Sequence, residues 1–331
     1  MKQFEGGVML GKLPPDELRR NVLRYAGAPR KDLIVGGGLG EDAALIRWPD
    51  AERFLVVASD PIVGASEGAG ELLVHVNAND VVCKGGEPSW LIVTLIVPAG
   101  EGVAMVGRIM REVHEACAAM EIAVVGGHTE LSDRYDWPVI VGTMMGPANC
   151  RLGISRIRPG DRLLVTGHAG LEGMSILAHD RPDLLGCLSA EELATVRAWR
   201  KDLSVVPAAR ALRDFSHYMH DPTEGGLEGA LLEVCKAAGL PLTLDRDAVP
   251  ISPITRRAAA SLGFDPMRLI SSGMLIAAVP EEGVGAAQAA LLQKRIPSSV
   301  IGQFGTTKGD GAEDRLDMHE ELWDLLARGR A

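Results

Sequence analysis

The sequence predicts a mixed α/β protein built as two domains in series, 1–150 and 151–331. Short runs rich in Val, Ile and Leu alternate along the chain with stretches of helical length and periodicity. The 331 residues suffice for two domains of ordinary size. A turn-rich segment, 147–161 (PANCRLGISRIRPGD), separates two such alternating series and marks the boundary near 150. Aromatic residues make up only 4% of the chain, so the core has to come from Val, Leu, Ile, Ala and Met.

The elements follow in order. Residues 13–28 read as a helix, with Pro14 and Pro15 at its start and Gly27 at its end. A Gly-rich segment over 36–40 leads into two strand-like runs, DAALIRW and FLVVASD, the second stopped by Pro61. A helix is expected over 70–84, a buried strand over 91–97 (LIVTLIV), and a helix from Val103 to Met120. Strands at 122–125 and 138–146 close the first domain. In the second, RLLVTG, PLTLD, MLIAAV and SVIGQF are strands. GMSILAHD begins a helix, 226–238 is another, and 313–328 is a charged amphipathic one.

A formal charge of −10 repels phosphate backbones, which excludes broad nucleic-acid binding. No stretch approaches the about 18 apolar residues of a membrane span, and residues 1–10 carry no signal-peptide pattern. The five cysteines (Cys83, Cys117, Cys150, Cys187, Cys235) form no CxxC pair, which argues against structural zinc and a disulfide framework. A cytoplasmic protein is expected.

Familiar nucleotide motifs are missing. Gly6 to Lys12 fits GxxxxGK, but Leu13 stands where a Mg-binding Ser or Thr is required. There is no HExxH. Four other segments place acids or amides beside Gly or at an element's end. They are Gly38-Leu39-Gly40-Glu41-Asp42, Ser59-Asp60-Pro61, Asn77-Ala78-Asn79-Asp80, and Asp221-Pro222-Thr223-Glu224-Gly225-Gly226. Singly, each has a plain reading: a turn, a helix cap, a solvated loop. Asn77 and Asp80 share a helix face and interrupt an apolar pattern, so they need partners. Gly225 and Gly226 open a helix whose first N–H groups suit phosphate. Mg²⁺ takes oxygen ligands and usually only one or two protein carboxylates. The spread carboxylates therefore suit two or more Mg²⁺ ions clamping a triphosphate.

The ordered set Gly40–Ala44, Ser59–Pro61, Val76–Asp80 with Gly85–Pro88, Gly126-Gly127-His128-Thr129-Glu130, Asp221–Leu227 and Ser271–Leu275 resembles the aminoimidazole-ribotide-synthetase-like (PurM-like) superfamily. That superfamily includes thiamine-monophosphate kinase, selenophosphate synthetase and the hydrogenase-maturation carbamoyl dehydratase. The resemblance implies an N-terminal α/β domain that binds ATP and dimerises through its sheet, covered by a C-terminal α/β domain. It implies Mg²⁺ on Asp42, Asp60, Asp80 and Asp221, with Asp80, Asp221 and His128 carrying catalysis. It further implies ATP contacts from Gly38, Gly40, Asn77, Gly126, Gly127, Thr129, Thr223, Gly225 and Gly226. The shared chemistry is phosphoryl transfer from ATP to a substrate oxygen, where positioning and charge neutralisation supply most of the rate.

Asp-Pro-Thr-Glu-Gly-Gly-Leu is most like the hydrogenase-maturation branch, whose members dehydrate a carbamoyl group on their own C-terminal cysteine. This sequence departs from that pattern: its tail reads Trp-Asp-Leu-Leu-Ala-Arg-Gly-Arg-Ala and its last cysteine is Cys235, which reads as core. That catalytic assignment does not transfer. His128 stands where the thiamine-phosphate kinases carry an acid, and is either a phosphate contact or a structural strand-end histidine. Three readings follow: an ATP-dependent enzyme acting on an unidentified small or protein-borne substrate, a thiamine-monophosphate-kinase-like phosphotransferase, and a non-catalytic nucleotide-binding regulatory dimer. A homodimer is expected in each.

Overall fold

The computed structural model describes residues 11–12, 17, 19–35, 45–46, 54–63, 68–150, 152–306 and 319–328. The chain divides into two compact units. One comprises Met1–Val81 and Gly86–Asn149, the other Val82–Gly85 and Cys150–Ala331.

In the first unit, β1 (Gly11–Lys12), β4 (Phe54–Val63), β5 (Trp90–Pro98), β6 (Ala123–Ser132) and β7 (Val139–Ala148) form one sheet in the order β1-β6-β5-β7-β4. Strands β2 (Leu33–Val35) and β3 (Leu45–Ile46) pair separately. Within the larger sheet β5 and β6 are parallel and the other pairs antiparallel. Among the described residues, helices α1 (Ala69–Cys83) and α2 (Gly102–Ala119) accompany it. The first amides of a helix have no partner inside it. Here Glu112 of α2 accepts from the N–H groups of Gly68 and Gly70 at 3.1 and 3.0 Å, tying α2 to the start of α1.

Two strands are longer than the sequence suggests. β4 runs through Pro61, which pairs with Val141, and ends at Val63. It lies at the sheet edge, where a residue without N–H is tolerated because only one side needs pairing. β6 continues through Gly126–Glu130, with a one-residue slip of register against β5 between Leu91 and Ile92. Such a bulge is how a strand absorbs an extra residue. Leu91, Val93, Leu95 and Val97 are buried, whereas Ile92, Thr94 and Ile96, on the other face, are half-buried.

The second unit holds a five-stranded antiparallel sheet in the order β10-β12-β8-β11-β9. Its strands are β8 (Arg162–Thr166), β9 (Tyr218–His220), β10 (Leu242–Leu244), β11 (Leu275–Val279) and β12 (Ser298–Phe304). Among the described residues its helices are α3 (Leu171–Asp180), α4 (Ala190–Ala198), α5 (Val206–Leu212), α6 (Gly226–Ala238), α7 (Pro253–Leu262), α8 (Val284–Gln293) and α9 (Glu321–Ala327). One core cluster joins Leu163, Val165, Ile276 and Phe304 of the sheet to Leu227, Leu231 and Val234 of α6. Another gathers Met174, Leu177, Val196, Ala258, Phe264, Leu322 and Leu325.

Within the helix expected over 13–28, Glu17 is helical and Arg19–Leu23 form a π-helical turn, so helical structure ends at Leu23 rather than at Gly27; residues 13–16 and 18 lie outside the described residues. The C-terminal helix covers Glu321–Ala327 rather than 313–328, of which 313–318 lie outside the described residues. Glu320 stops it on the N-terminal side, extended at φ −94° and ψ 116°, with its carboxylate accepting from Leu322 N–H. Among the described residues no helix is long and apolar enough to cross a membrane.

Candidate functional site

Of the residues singled out in the sequence, Gly38, Gly40 and Asp42 lie outside the described residues. The others fall into two groups, one in each unit.

In the first unit, Asn77 is fully buried on α1 and is spent on the backbone of Asp60. Its Oδ1 accepts from Asp60 N–H at 3.0 Å, and its Nδ2 donates to the carbonyls of Leu73 (2.9 Å) and Asp60 (3.3 Å). A methyl group on Gly142, opposite Asp60 in β7, would stand 2.6 Å from that Nδ2, so the clamp requires glycine there. These three bonds hold β4 to α1. Asn77 acts on Asp60, whose half-buried position it fixes. Asp80, half-buried, lies one turn further along the same helix.

Gly126 and Gly127 sit at the bulge in β6. Thr129 is buried opposite Leu95. His128 pairs with Thr94 and belongs to the less covered face of the sheet, with Nε2 3.6 Å from Glu130 Oε2. Asp60, paired with Gly142, belongs to the face that α1 packs against. His128 and Asp60 of one chain are therefore on opposite faces of one sheet.

In the second unit, three loops meet. The loop after β8 carries Gly170, whose N–H donates to Ser271 Oγ at 2.7 Å. The Gly173 N–H donates to Ile270 O at 3.0 Å. The loop after β9 carries Asp221 to Gly226. Gly226 has φ +61°, and a Cβ there would stand 2.5 Å from Met267 O, which brings this loop against residues 267–269. Asp221 is 1% exposed, and the buried Cys83 thiol donates to its Oδ1 at 3.9 Å. Lys84 Nζ stands 5.3 Å from the Tyr218 ring centroid. Burial, and then the charge of Lys84, hold His220 down to a pKa of about 4, so it is neutral at pH 7.

The phosphate donors expected at the start of α6 are already engaged. The Gly225 N–H donates to Glu320 Oε2 at 2.7 Å, and the Gly226 N–H closes a turn onto Thr223 O at 3.0 Å. A carboxylate from the C-terminal segment stands at the helix end where an anion was expected. Thr223, half-buried, and Asp221, buried, belong to the same loop.

Sequence reasoning missed Glu172. It occupies the first turn of α3, is 5% exposed, and its Oε2 has no hydrogen-bond partner among the described residues. Burial pushes its pKa up to about 7. The Ser272 hydroxyl and amide oppose this, and Asp221 and Glu320 add to it. The available signal was an acid between Leu171 and Gly173, at the head of an apolar helix read as starting only at Gly173. Glu320 was missed as well, because its partners lie 95 and 50 residues away in sequence.

Comparison with known proteins defines the class. Residues 40–148 match the N-terminal domain of AIR synthase related proteins, and residues 158–315 match the C-terminal domain. The chain belongs to the AIR synthase related family, in its HypE-like branch. It is 32% identical over 282 residues to the carbamoyl dehydratase HypE of Rhodobacter capsulatus, covering 83% of this chain and 79% of that one. A putative hydrogenase expression/formation protein of Methanocaldococcus jannaschii is 27% identical over 84% of this chain and 81% of its own. Among solved structures, hydrogenase maturation protein HypE in complex with ATP superposes with a TM-score of 0.74 at 25% identity, over 90% of this chain and 88% of that one. A thiamine-monophosphate kinase from Stenotrophomonas maltophilia shares the fold, with a TM-score of 0.70 at 22% identity over 89% and 93% of the two chains.

Proposed function

We propose that this protein is an ATP- and Mg²⁺-dependent enzyme that moves a phosphoryl group from ATP to an oxygen of a small or protein-borne substrate. The observation that carries the reading is the loop cluster around buried Asp221, in a chain that matches HypE in complex with ATP over nine-tenths of its length. In such a transfer the bond from the terminal phosphorus to the bridging oxygen breaks, ADP leaves, and the substrate oxygen becomes part of a phosphate leaving group.

Asp42, Asp60, Asp80 and Asp221 would hold Mg²⁺. Mg²⁺ keeps one or two protein carboxylates and shares its remaining positions with phosphate and water. When bound, the ion would neutralise charge on the phosphates. The chain's part is to fix the carboxylates: Asn77 locks the Asp60 peptide, and the Cys83 thiol meets Asp221. Four carboxylates in a chain of net charge −10 would repel free ATP, so binding is expected to depend on the metal. Calorimetry should show ATP binding in Mg²⁺ and none in EDTA; equal affinity in both would sink the reading.

The identity to carbamoyl dehydratase HypE favours a second reading, ATP-dependent dehydration of a carbamoyl group borne by another molecule. Cys83, Cys117 and Cys235 are buried, so a carbamoyl thioester on those thiols is disfavoured. Intact-mass measurement of the protein after reaction separates the two readings from self-modification: neither predicts a stoichiometric adduct on this chain.

A further inference from the structure

The carboxylate of Glu320 makes three hydrogen bonds, two of them to segments far apart in the sequence. Oε2 accepts from Gly225 N–H at 2.7 Å; Oε1 accepts from Ile270 N–H at 3.1 Å and from Leu322 N–H at 2.8 Å. Gly225 belongs to the Asp221 loop, and Ile270 opens the loop of Ser271 and Ser272, whose hydroxyls face Gly170 and Glu172. One side chain thus bridges both loops.

Its own segment is well anchored. Leu322 and Leu325 are buried in the core with Met174, Leu177 and Phe264. Glu321 accepts from Arg268 at 2.6 Å and from Asp265 N–H at 3.3 Å. Trp323 Nε1 donates to Glu224 Oε1 at 2.8 Å, a second link to the Asp221 loop.

The placement is costly for a simple anchor. Glu320 is itself buried, which raises its pKa, and its charge adds to that of Asp221 in disfavouring ionised Glu172. A neutral serine or threonine could cap α9 without that repulsion. Only an ionised carboxylate accepts on both oxygens at once, in the two directions that Gly225 and Ile270 demand.

We propose that Glu320 is a positioning residue of the nucleotide site, setting the spacing of the Asp221–Gly226 and Ile270–Gly273 loops from the C-terminal segment. The assignment rests on the ATP reading above. It makes residues 320–323 part of the functional unit, although they lie beyond every motif seen in the sequence.

The test compares wild type, Glu320→Gln and Glu320→Ala with Leu291→Ala, a buried residue of α8 outside the three loops. Two quantities are read: hydrogen exchange of the peptides carrying Gly225 and Ile270, and the Kd for Mg·ATP by calorimetry. Gln presents an NH₂ group to one of the N–H donors, so it cannot restore all three bonds. Both Glu320 variants should lose exchange protection at the two loops and bind Mg·ATP roughly tenfold more weakly, equivalent to about 1.4 kcal/mol. Leu291→Ala should lower the melting temperature and leave both readouts unchanged. Nucleotide affinity that is unaltered or tighter in Glu320→Gln overturns the proposal, tighter binding marking Glu320 as a competitor for phosphate. It is equally overturned if Leu291→Ala weakens binding as much. Wild type that binds no Mg·ATP overturns the nucleotide reading itself, and this positioning role with it.

Discussion

Three of the buried carboxylates in the second unit meet different surroundings. Glu320 is satisfied by three N–H groups, and Asp221 takes the Cys83 thiol. Glu172 leaves Oε2 without a hydrogen-bond partner among the described residues. Its folded pKa of about 7 stands above the ordinary 4.5 because burial disfavours the charge. A raised acid binds more protons folded than unfolded between those two values. Stability is therefore full below about pH 4.5, falls as pH rises to about 7, and is flat above. At about 1.36 kcal/mol per unit, the loss is on the order of 3 kcal/mol. Glu172→Gln removes the titration and keeps the shape. Measured in EDTA, its melting temperature should pull ahead of wild type between pH 4.5 and 7 and hold that lead at higher pH. A gap that does not vary with pH would refute the buried, ill-paired carboxyl. Such a residue was barely legible in the sequence, because an acid in the first turn of a helix is ordinary. Its burial comes from the 269–273 loop packing on α3.

At the scale of elements, local signals read well wherever the chain carried its own punctuation. The helix over 226–238 has the expected bounds because Gly225 and Gly239 take left-handed conformations at φ +79° and +66°, ending it on both sides. Pro61 misled as a stop signal, since only the sheet order reveals that β4 is an edge strand. Asn77 was legible as a polar residue needing partners on an apolar helix, but not as a clamp, because its partner Asp60 lies on another element. Asn77→Leu, similar in volume, leaves the Asp60 N–H without its acceptor. Thermal unfolding should show a loss of about 1–3 kcal/mol. Weaker ATP binding at undiminished stability would instead return Asn77 to the role of direct ligand contact.

At the scale of the whole molecule, the order of short motifs was enough to indicate the family, while covering of the first unit's sheet depends on contacts outside any motif. Helix α2 packs on one face of that sheet through Val106, Ile109, Met110 and Val113, all buried. The opposite face presents Ile92, Thr94 and Ile96 of β5 beside Val139, Val141 and Thr143 of β7, all half-buried, and Val57 of β4 at 56% exposure. A sheet whose second face is apolar gains by covering it with another layer. The resemblance implied pairing through this sheet. Among the described residues, this half-buried apolar face is a further reason to expect it, and a second copy of the chain presents a surface of the same character. His128 and Glu130 lie on that face, so a dimer formed there would bring them to the partner rather than to their own Asp60. Light scattering at micromolar concentration should give twice the chain mass of 35.1 kDa. Val141→Asp, which places a charge in the middle of the face, should shift the protein to a 35.1 kDa monomer while the second unit keeps its exchange protection. A wild-type monomer under those conditions would refute the pairing. A Val141→Asp protein that stays dimeric would move the interface to another surface and remove His128 from it.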